Sequence, residues 1–230
     1  MAFLYNIGIQ AYHLAIQLAA PFNEKAALLH KGRKEVWKKA AGIQRGEGRL
    51  VWFHAASLGE FEQGRPVIEA LKAAEPATQI LLTFFSPSGY EIRKNYTGAD
   101  YILYLPGDTR RNAVRLIEKF RPDAAVFIKY EFWFHYLNEL NKRNIPVYLI
   151  SAIFRPNQPF FKSWGKLHRR MLGCFKELFV QDGQSVELLK SIGIKNVRNL
   201  MTDMVPYFVM GMGVTFVLLI GSIDLSIGSM

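Results

Sequence analysis

The chain has 230 residues, half of them hydrophobic and 13% aromatic, with a formal net charge of +10. This composition excludes a disordered tail and provides ample core for one large domain or two small ones. The one cysteine, Cys174, excludes an internal disulfide and a cysteine-based zinc site, which suits a reducing compartment. The positive charge calls for an anionic partner, but no zinc finger, basic-region heptad or RNP-type aromatic signature makes that partner nucleic acid.

Residues 1–23, MAFLYNIGIQAYHLAIQLAAPFN, contain no Asp, Glu, Lys or Arg. An uncharged stretch of about 20 residues is long enough to span a bilayer. Asn6, Gln10, His13 and Gln17 interrupt it, however, so three readings stay open: a spanning anchor, a helix lying in the membrane interface, and a buried core helix. There is no basic n-region and no small-x-small cleavage site, so a signal peptide is not expected. Basic residues follow at once, at Lys25, Lys31, Arg33, Lys34, Lys38 and Lys39. Such a flank suits anionic headgroups on the cytoplasmic side of a membrane.

From residue 50 to 195, short apolar runs alternate with helical patterns. Strands are predicted at 50–56, 79–85, 101–106, 124–129, 146–152 and 177–181, and helices at 60–74, 88–96, 109–120, 132–143, 160–174 and 184–192. Strands this apolar are buried on both faces, which predicts an α/β fold, a Rossmann-like doubly wound parallel sheet covered by helices. No repeat or linker interrupts the pattern before residue 195; RPNQP, 155–159, is its most loop-like break.

Beyond Arg198 the composition changes. All 29 Lys and Arg residues lie at or before it, five of the seven methionines lie in 201–230, and residues 204–223 carry no charge. A transmembrane-like apolar segment foreign to the sheet is expected over 199–230.

Ligands of open α/β sheets collect at the carboxyl ends of the strands, beside helix N-termini. Three stretches fit. Ser57-Leu58-Gly59-Glu60 follows the first strand and has the spacing of a capping box, with Glu60 at the third helical position. The same carboxylate, kept ionised by the helix N-terminus, could instead take a proton from a substrate hydroxyl. In FSPSGYE, 85–91, Ser86 and Pro87 start a helix, and Ser88 and Gly89 offer a small anion nest or an ordinary capped turn. In IKYEFWFHY, 128–136, Glu131 follows a buried strand, either as a first-turn residue favoured by the helix dipole or as a site carboxylate. The histidines at 13, 30, 54, 135 and 168 show no metal-binding spacing, and His54, inside the first strand, reads as a core or near-site hydrogen-bonding residue. Neither a Gly-x-Gly-x-x-Gly turn nor a P-loop follows any strand.

Taken together, VWFHAASLGEFEQGRPVIEALKAAEP, ILLTFFSPSGYE, LPGDTRRNAVRLIEKFRPDAAVFIKYEFW and NIPVYLISAIF resemble, in order and spacing, the N-terminal half of the 3-deoxy-D-manno-octulosonic acid (Kdo) transferases of Gram-negative bacteria. The resemblance covers residues 1–198. It implies a two-domain GT-B glycosyltransferase at the cytoplasmic face of the inner membrane. Such an enzyme moves Kdo from CMP-Kdo to the lipid A precursor, lipid IVA, with inversion and with neither metal nor cofactor. The family's general base is the Glu of a Ser-x-Gly-Glu motif, which falls on Glu60; its Glu-Leu-Trp motif, assigned to transition-state stabilisation, reads Glu131-Phe132-Trp133 here. The resemblance makes catalysis the favoured role of Glu60, with capping as a compatible second duty, and gives Ser57, Gly59, Ser86, Ser88 and Gly89 to substrate binding. Lys31, Arg33, Lys34, Lys38 and Lys39 would then meet the phosphorylated acceptor and the anionic inner-membrane lipids.

Two local departures stand out: Lys129 replaces an acidic residue two before the motif Glu, and Phe134-His135 replaces Pro-Asn after the Trp. The tail departs further. It resembles a transmembrane segment of monosaccharide ABC-transporter permeases, with SIDLSIGS as the recognisable turn, joined near residues 198–203. The expected organisation is an anchor or interfacial helix over 1–23, an acceptor-binding Rossmann-like domain over 24–198 and the foreign segment over 199–230. A chimera or truncation of this kind would lack the donor domain and be inactive alone. The alternative from another class is a noncatalytic membrane-tethered module that holds anionic lipid headgroups.

Overall fold

The computed structural model describes residues 2–200. Two helices, α1 (Ala2–Ala19) and α2 (Glu24–Gly42), precede the sheet. Asn23 starts the second by accepting the Ala26 amide proton on its side-chain oxygen (3.0 Å). Strands and helices then alternate: β1 (Leu50–Ala55), α3 (Leu58–Ala74), β2 (Gln79–Phe84), α4 (Pro87–Arg93), β3 (Tyr101–Tyr104), α5 (Arg110–Phe120), β4 (Ala124–Ile128), α6 (Phe134–Lys142) and β5 (Val147–Ala152). A 3-10 turn (Pro159–Phe161), α7 (Lys166–Leu172), β6 (Glu177–Val180), α8 (Gly183–Ser191) and β7 (Val197–Asn199) complete the order.

All seven strands are parallel, in the order β3-β2-β1-β4-β5-β6-β7. Alternate residues feed opposite layers: Leu50 and Trp52 of β1 join one core with Leu81, Phe127 and Leu149, while Val51 and Phe53 join the other with Ile80, Leu82 and Val126. Both faces are covered by helices, the condition that makes parallel strands uniformly apolar. The six predicted strands are present. The seventh, Val197-Arg198-Asn199, is too short and polar to have been predicted. The helix expected over 160–174 divides into the 3-10 turn and α7. At Gly165, between them, a Cβ would lie 1.8 Å from the Pro159 carbonyl oxygen, so only glycine permits the chain to turn there.

The anchor expectation requires correction. Among the described residues no helix is long and apolar enough to cross a membrane. The reason lies in the polar residues of α1, which face the domain. Asn6 pairs with His135 Nε2 through its Oδ1 (2.6 Å), Tyr5 donates a short hydrogen bond to the Asp108 carboxylate, and His13 packs so closely on Gly107 that a Cβ there would lie 1.9 Å from its ring. The apolar face points outward instead: Phe3, Leu4, Leu14 and Leu18 are 56–73% exposed. This also removes the buried core helix from the three readings of residues 1–23. Of the apolar segment expected over 199–230, Asn199 belongs to β7, and everything from residue 201 lies outside the described residues.

Candidate active site

The strand order reverses between β1 and β4, and the crevice beyond the carboxyl ends of those two strands is where an open α/β sheet takes its ligand. β1 runs into α3 through Ala56-Ser57, and β4 runs into α6 through Lys129–Trp133. The Phe85 amide bonds to the Ala55 carbonyl (3.2 Å) and the Ser86 amide to the Ala56 carbonyl (2.8 Å), which draws the β2–α4 turn alongside. Three predicted stretches far apart in sequence thus meet at one edge.

Glu60 sits half-buried in the first turn of α3. Its Oε2 accepts hydrogen bonds from the Ala56 amide (2.7 Å) and the Ser57 amide (3.2 Å). The capping duty is real, and it fixes the carboxylate at the crevice. Its pKa shift runs opposite to what the helix N-terminus alone would give. Burial is the largest influence and the Glu131 charge the next, and together they raise its pKa; the two amide bonds and Lys129 act in the opposite direction without prevailing. A carboxylate held this way is a stronger base than an ordinary glutamate.

Glu131 is almost completely buried, at 6% exposure. Its Oε2 meets His54 Nε2 at 2.8 Å and accepts the Trp133 indole N–H at 2.6 Å. On the far side of the ring, His54 Nδ1 lies 2.8 Å from the Thr83 hydroxyl oxygen and 3.0 Å from the Thr83 carbonyl oxygen. The Thr83 hydroxyl oxygen already accepts from Trp52 Nε1 (2.8 Å). The Trp133 indole N–H also lies 3.1 Å from His54 Nε2, so imidazole, indole and carboxylate close on one another. A buried carboxylate with hydrogen-bond partners of this kind can persist where a lone one could not.

Lys129 has a positive φ of 65°, unusual for a residue with a side chain, as does its neighbour across the sheet edge, Ser151, at 60°. The Lys129 amide bonds to the Ile150 carbonyl (2.8 Å), which holds the strained turn against β5. The ammonium replaces the acidic residue expected by resemblance and acts electrostatically on Glu60.

The other predicted residues separate. Gly59 faces open space, so a ligand could approach the α3 backbone there. Gly89 does not: a Cβ would lie 2.3 Å from the Phe84 ring, so this glycine serves helix–sheet packing. Ser86 and Ser88 share a hydroxyl–hydroxyl hydrogen bond of 2.8 Å at the surface. Lys31, Lys34, Lys38 and Lys39 are exposed along α2, and Lys39 bonds to the Tyr90 hydroxyl (2.8 Å). Arg33 parts from this group and turns inward, its guanidinium carbon 4.5 Å from the centre of the Phe85 ring. Thr83 and Phe85 were not singled out from the sequence, and Lys129 only as a departure from the family pattern. Thr83 had a usable signal, being the polar residue of an otherwise apolar run and the register partner of His54.

Comparison with known proteins adds what geometry cannot. Residues 24–204 match the family described as 3-deoxy-D-manno-octulosonic-acid transferase (kdotransferase). The chain belongs to the Kdo transferase family. Curated relatives include the 3-deoxy-D-manno-octulosonic acid transferases of Chlamydia trachomatis serovar D, 25% identical over 202 residues, and of Chlamydia muridarum, 27% identical over 199. These alignments cover 85% and 83% of this chain but 47% and 45% of the relatives. The chain thus spans about half the length of the Kdo transferases it matches. Among solved structures, a UDP-N-acetylglucosamine 2-epimerase superposes with a TM-score of 0.50 at 17% identity, over 66% of this chain and 48% of that one. The enzyme of the same name from Methanocaldococcus jannaschii gives 0.50 at 16% identity, over 66% and 45%. At such identities the likeness shows the fold alone. Within the Kdo transferase domain, the Phe134-His135 departure is where α1 docks: the His135 and Tyr136 amides bond to the Asp108 carboxylate (3.1 and 3.2 Å), and the Tyr5 ring meets Phe134 edge-on at 5.6 Å.

Proposed function

We propose that this domain is the acceptor-binding half of an inverting glycosyltransferase that moves Kdo from CMP-Kdo to the lipid A precursor at the cytoplasmic face of the inner membrane. Glu60 is the general base. The attacking sugar hydroxyl must lose its proton as it bonds to the anomeric carbon, and a carboxylate with a raised pKa beside the switch-point crevice is suited to receive it. The observation that carries this reading is the placement of Glu60, fixed by two backbone amides and next to the hydrogen-bonded His54–Glu131 pair. Glu131, buried against His54 and Trp133, leaves Glu60 as the more exposed carboxylate at the crevice. The metal-free course belongs to the family resemblance. Contacts to CMP-Kdo would come from the half of the longer relatives that this chain does not match.

The outward apolar face of α1 supports placement at a membrane surface. A helix that is polar inward and apolar outward lies in the interface rather than across it, with the lysines of α2 beside the headgroups.

The test is Kdo transfer from CMP-Kdo to lipid IVA by a full-length enzyme carrying this domain. Glu60→Gln is expected to lower kcat by about 10²–10⁴-fold while the enzyme stays folded, with a melting temperature no lower than the parent's. Transfer at an undiminished rate would show that the base is another group.

A further inference from the structure

We propose that the cavity between α1, α2 and the β3–α5 connection is a phosphomonoester-binding subsite with Arg33 as its principal ligand. The identity of the phosphate's carrier rests on the function proposed above; the binding of phosphate does not.

The cavity is about 270 Å³ and brings together His13 and Gln17 of α1, His30, Arg33 and Lys34 of α2, and Asn112 of α5. It also lies against Pro106 and Gly107, just past the carboxyl end of β3, and so opens on the same edge of the sheet as Glu60. The two places share a wall. Phe85 stacks on Trp133 (4.7 Å between centroids), which bonds to Glu131, and also on Tyr12 of α1 (5.9 Å), while the Arg33 guanidinium lies against Phe85 and Tyr12.

Arg33 is the unusual member. All three of its guanidinium nitrogens are buried with no well-formed hydrogen bond, the Tyr12 hydroxyl being the acceptor that approaches, whereas Arg45, Arg65 and Arg93 each leave only Nε in that condition. Burial disfavours its charged form, and the opposing influences come from phenols (Tyr12, Tyr136 and Tyr104), with no carboxylate among them. A guanidinium stays cationic in a protein, and its planar fork of donors matches phosphate oxygens. Left without an anion, such a buried cation destabilises the fold; an arriving dianion completes it. A phosphomonoester suits the charge better than a diester. Arg33 and Lys34 together supply two positive charges, and a dianion would also relieve the repulsion that Arg33 exerts on His13. Ile16 and Trp37 on the wall can cover an uncharged part of the molecule bearing the phosphate.

The experiment follows the imidazole C–H resonances of His13 and His30 in the full chain in zwitterionic detergent while inorganic phosphate replaces chloride at constant ionic strength. A parallel arm uses phosphatidylcholine vesicles containing either phosphatidic acid, a monoester, or phosphatidylglycerol, a diester. Saturable shifts with inorganic phosphate support the subsite for phosphate as such. Shifts with phosphatidic acid alone support it for phosphate presented by a lipid. In either case Arg33→Lys should weaken binding about tenfold or more, through loss of the bidentate fork. No saturable shift in any arm, equal response to both lipids, or an unchanged affinity in Arg33→Lys would overturn the proposal. Should Arg33→Lys fail to melt cooperatively, the exposed Lys34→Glu replaces it: a marked loss of affinity supports the subsite and an unchanged affinity overturns it. Phosphate binding that persists in Glu60→Gln separates this subsite from the assignment of the base.

Discussion

At the residue scale, the central question is how two carboxylates coexist at one crevice. Glu131 is buried with His54 and Trp133 as hydrogen-bond partners, and Glu60 is half-buried with two amide hydrogen bonds. Removing the histidine should therefore be costly. His54→Ala leaves both a cavity and a buried carboxylate without its partner, and is expected to cost about 3–5 kcal/mol, read by urea denaturation. His54→Gln, which can still donate a hydrogen bond, should cost much less. Glu60 makes a prediction of opposite sign. Its pKa is raised in the fold, so the stability tied to its protonated form is fully present below the ordinary carboxylate pKa and is lost as pH rises through the raised value. Glu60→Gln should consequently melt close to the parent at low pH and gain on it as pH rises to neutrality. A gain that shrinks over that range would mean that the amide bonds outweigh burial and the Glu131 charge.

At the scale of elements, close approach of helices to the sheet positions the site. Gly32 of α2 lies where a Cβ would be 2.3 Å or less from the Tyr104 ring, Gly64 of α3 where it would meet the Ile128 side chain at 2.2 Å, and Gly89 of α4 where it would meet Phe84 at 2.3 Å. The three differ in consequence. Ile128 offers only the end of a flexible chain, whereas Phe84 is a fully buried ring that cannot retreat. Gly89→Ala is expected to destabilise by about 1–3 kcal/mol, as overpacking does. It should also disturb the Ser86–Ser88 turn, which thermal melting together with amide chemical shifts over 85–91 would register. Gly59→Ala should leave stability nearly unchanged, since nothing lies within 4 Å of the added methyl.

At the scale of the whole molecule, an outward apolar stripe on α1 and exposed lysines on α2 define one face, and the cavity at Arg33 lies between those two helices. A nitroxide on Leu14→Cys in a Cys174→Ser background is expected to become oxygen-accessible and shielded from aqueous nickel on addition of anionic vesicles. The same label at Lys38→Cys should stay on the water side. A Leu14 label indifferent to vesicles would remove α1 from the membrane interface.

The succession of strands, their burial on both faces and the carboxylates at their ends were readable from the chain because they are local. An apolar run between capped helices states its own environment, and Ser57-Leu58-Gly59-Glu60 states its own cap. The direction of α1 was not local. Asn6, Gln10, His13 and Gln17 mark one side of a helix, but only the Asp108–His135 region, remote in the chain, decides that Asn6 and His13 turn inward while Gln10 and Gln17 stay exposed. The same holds for Arg33, indistinguishable in sequence from the lysines around it until Phe85 and Tyr12 close over it, and for Glu131, whose carboxylate is met by a histidine 77 positions earlier. Periodicity and caps record each element's own surface. Which surfaces face one another, and therefore which charges are buried or paired, is set by packing between elements remote in the chain.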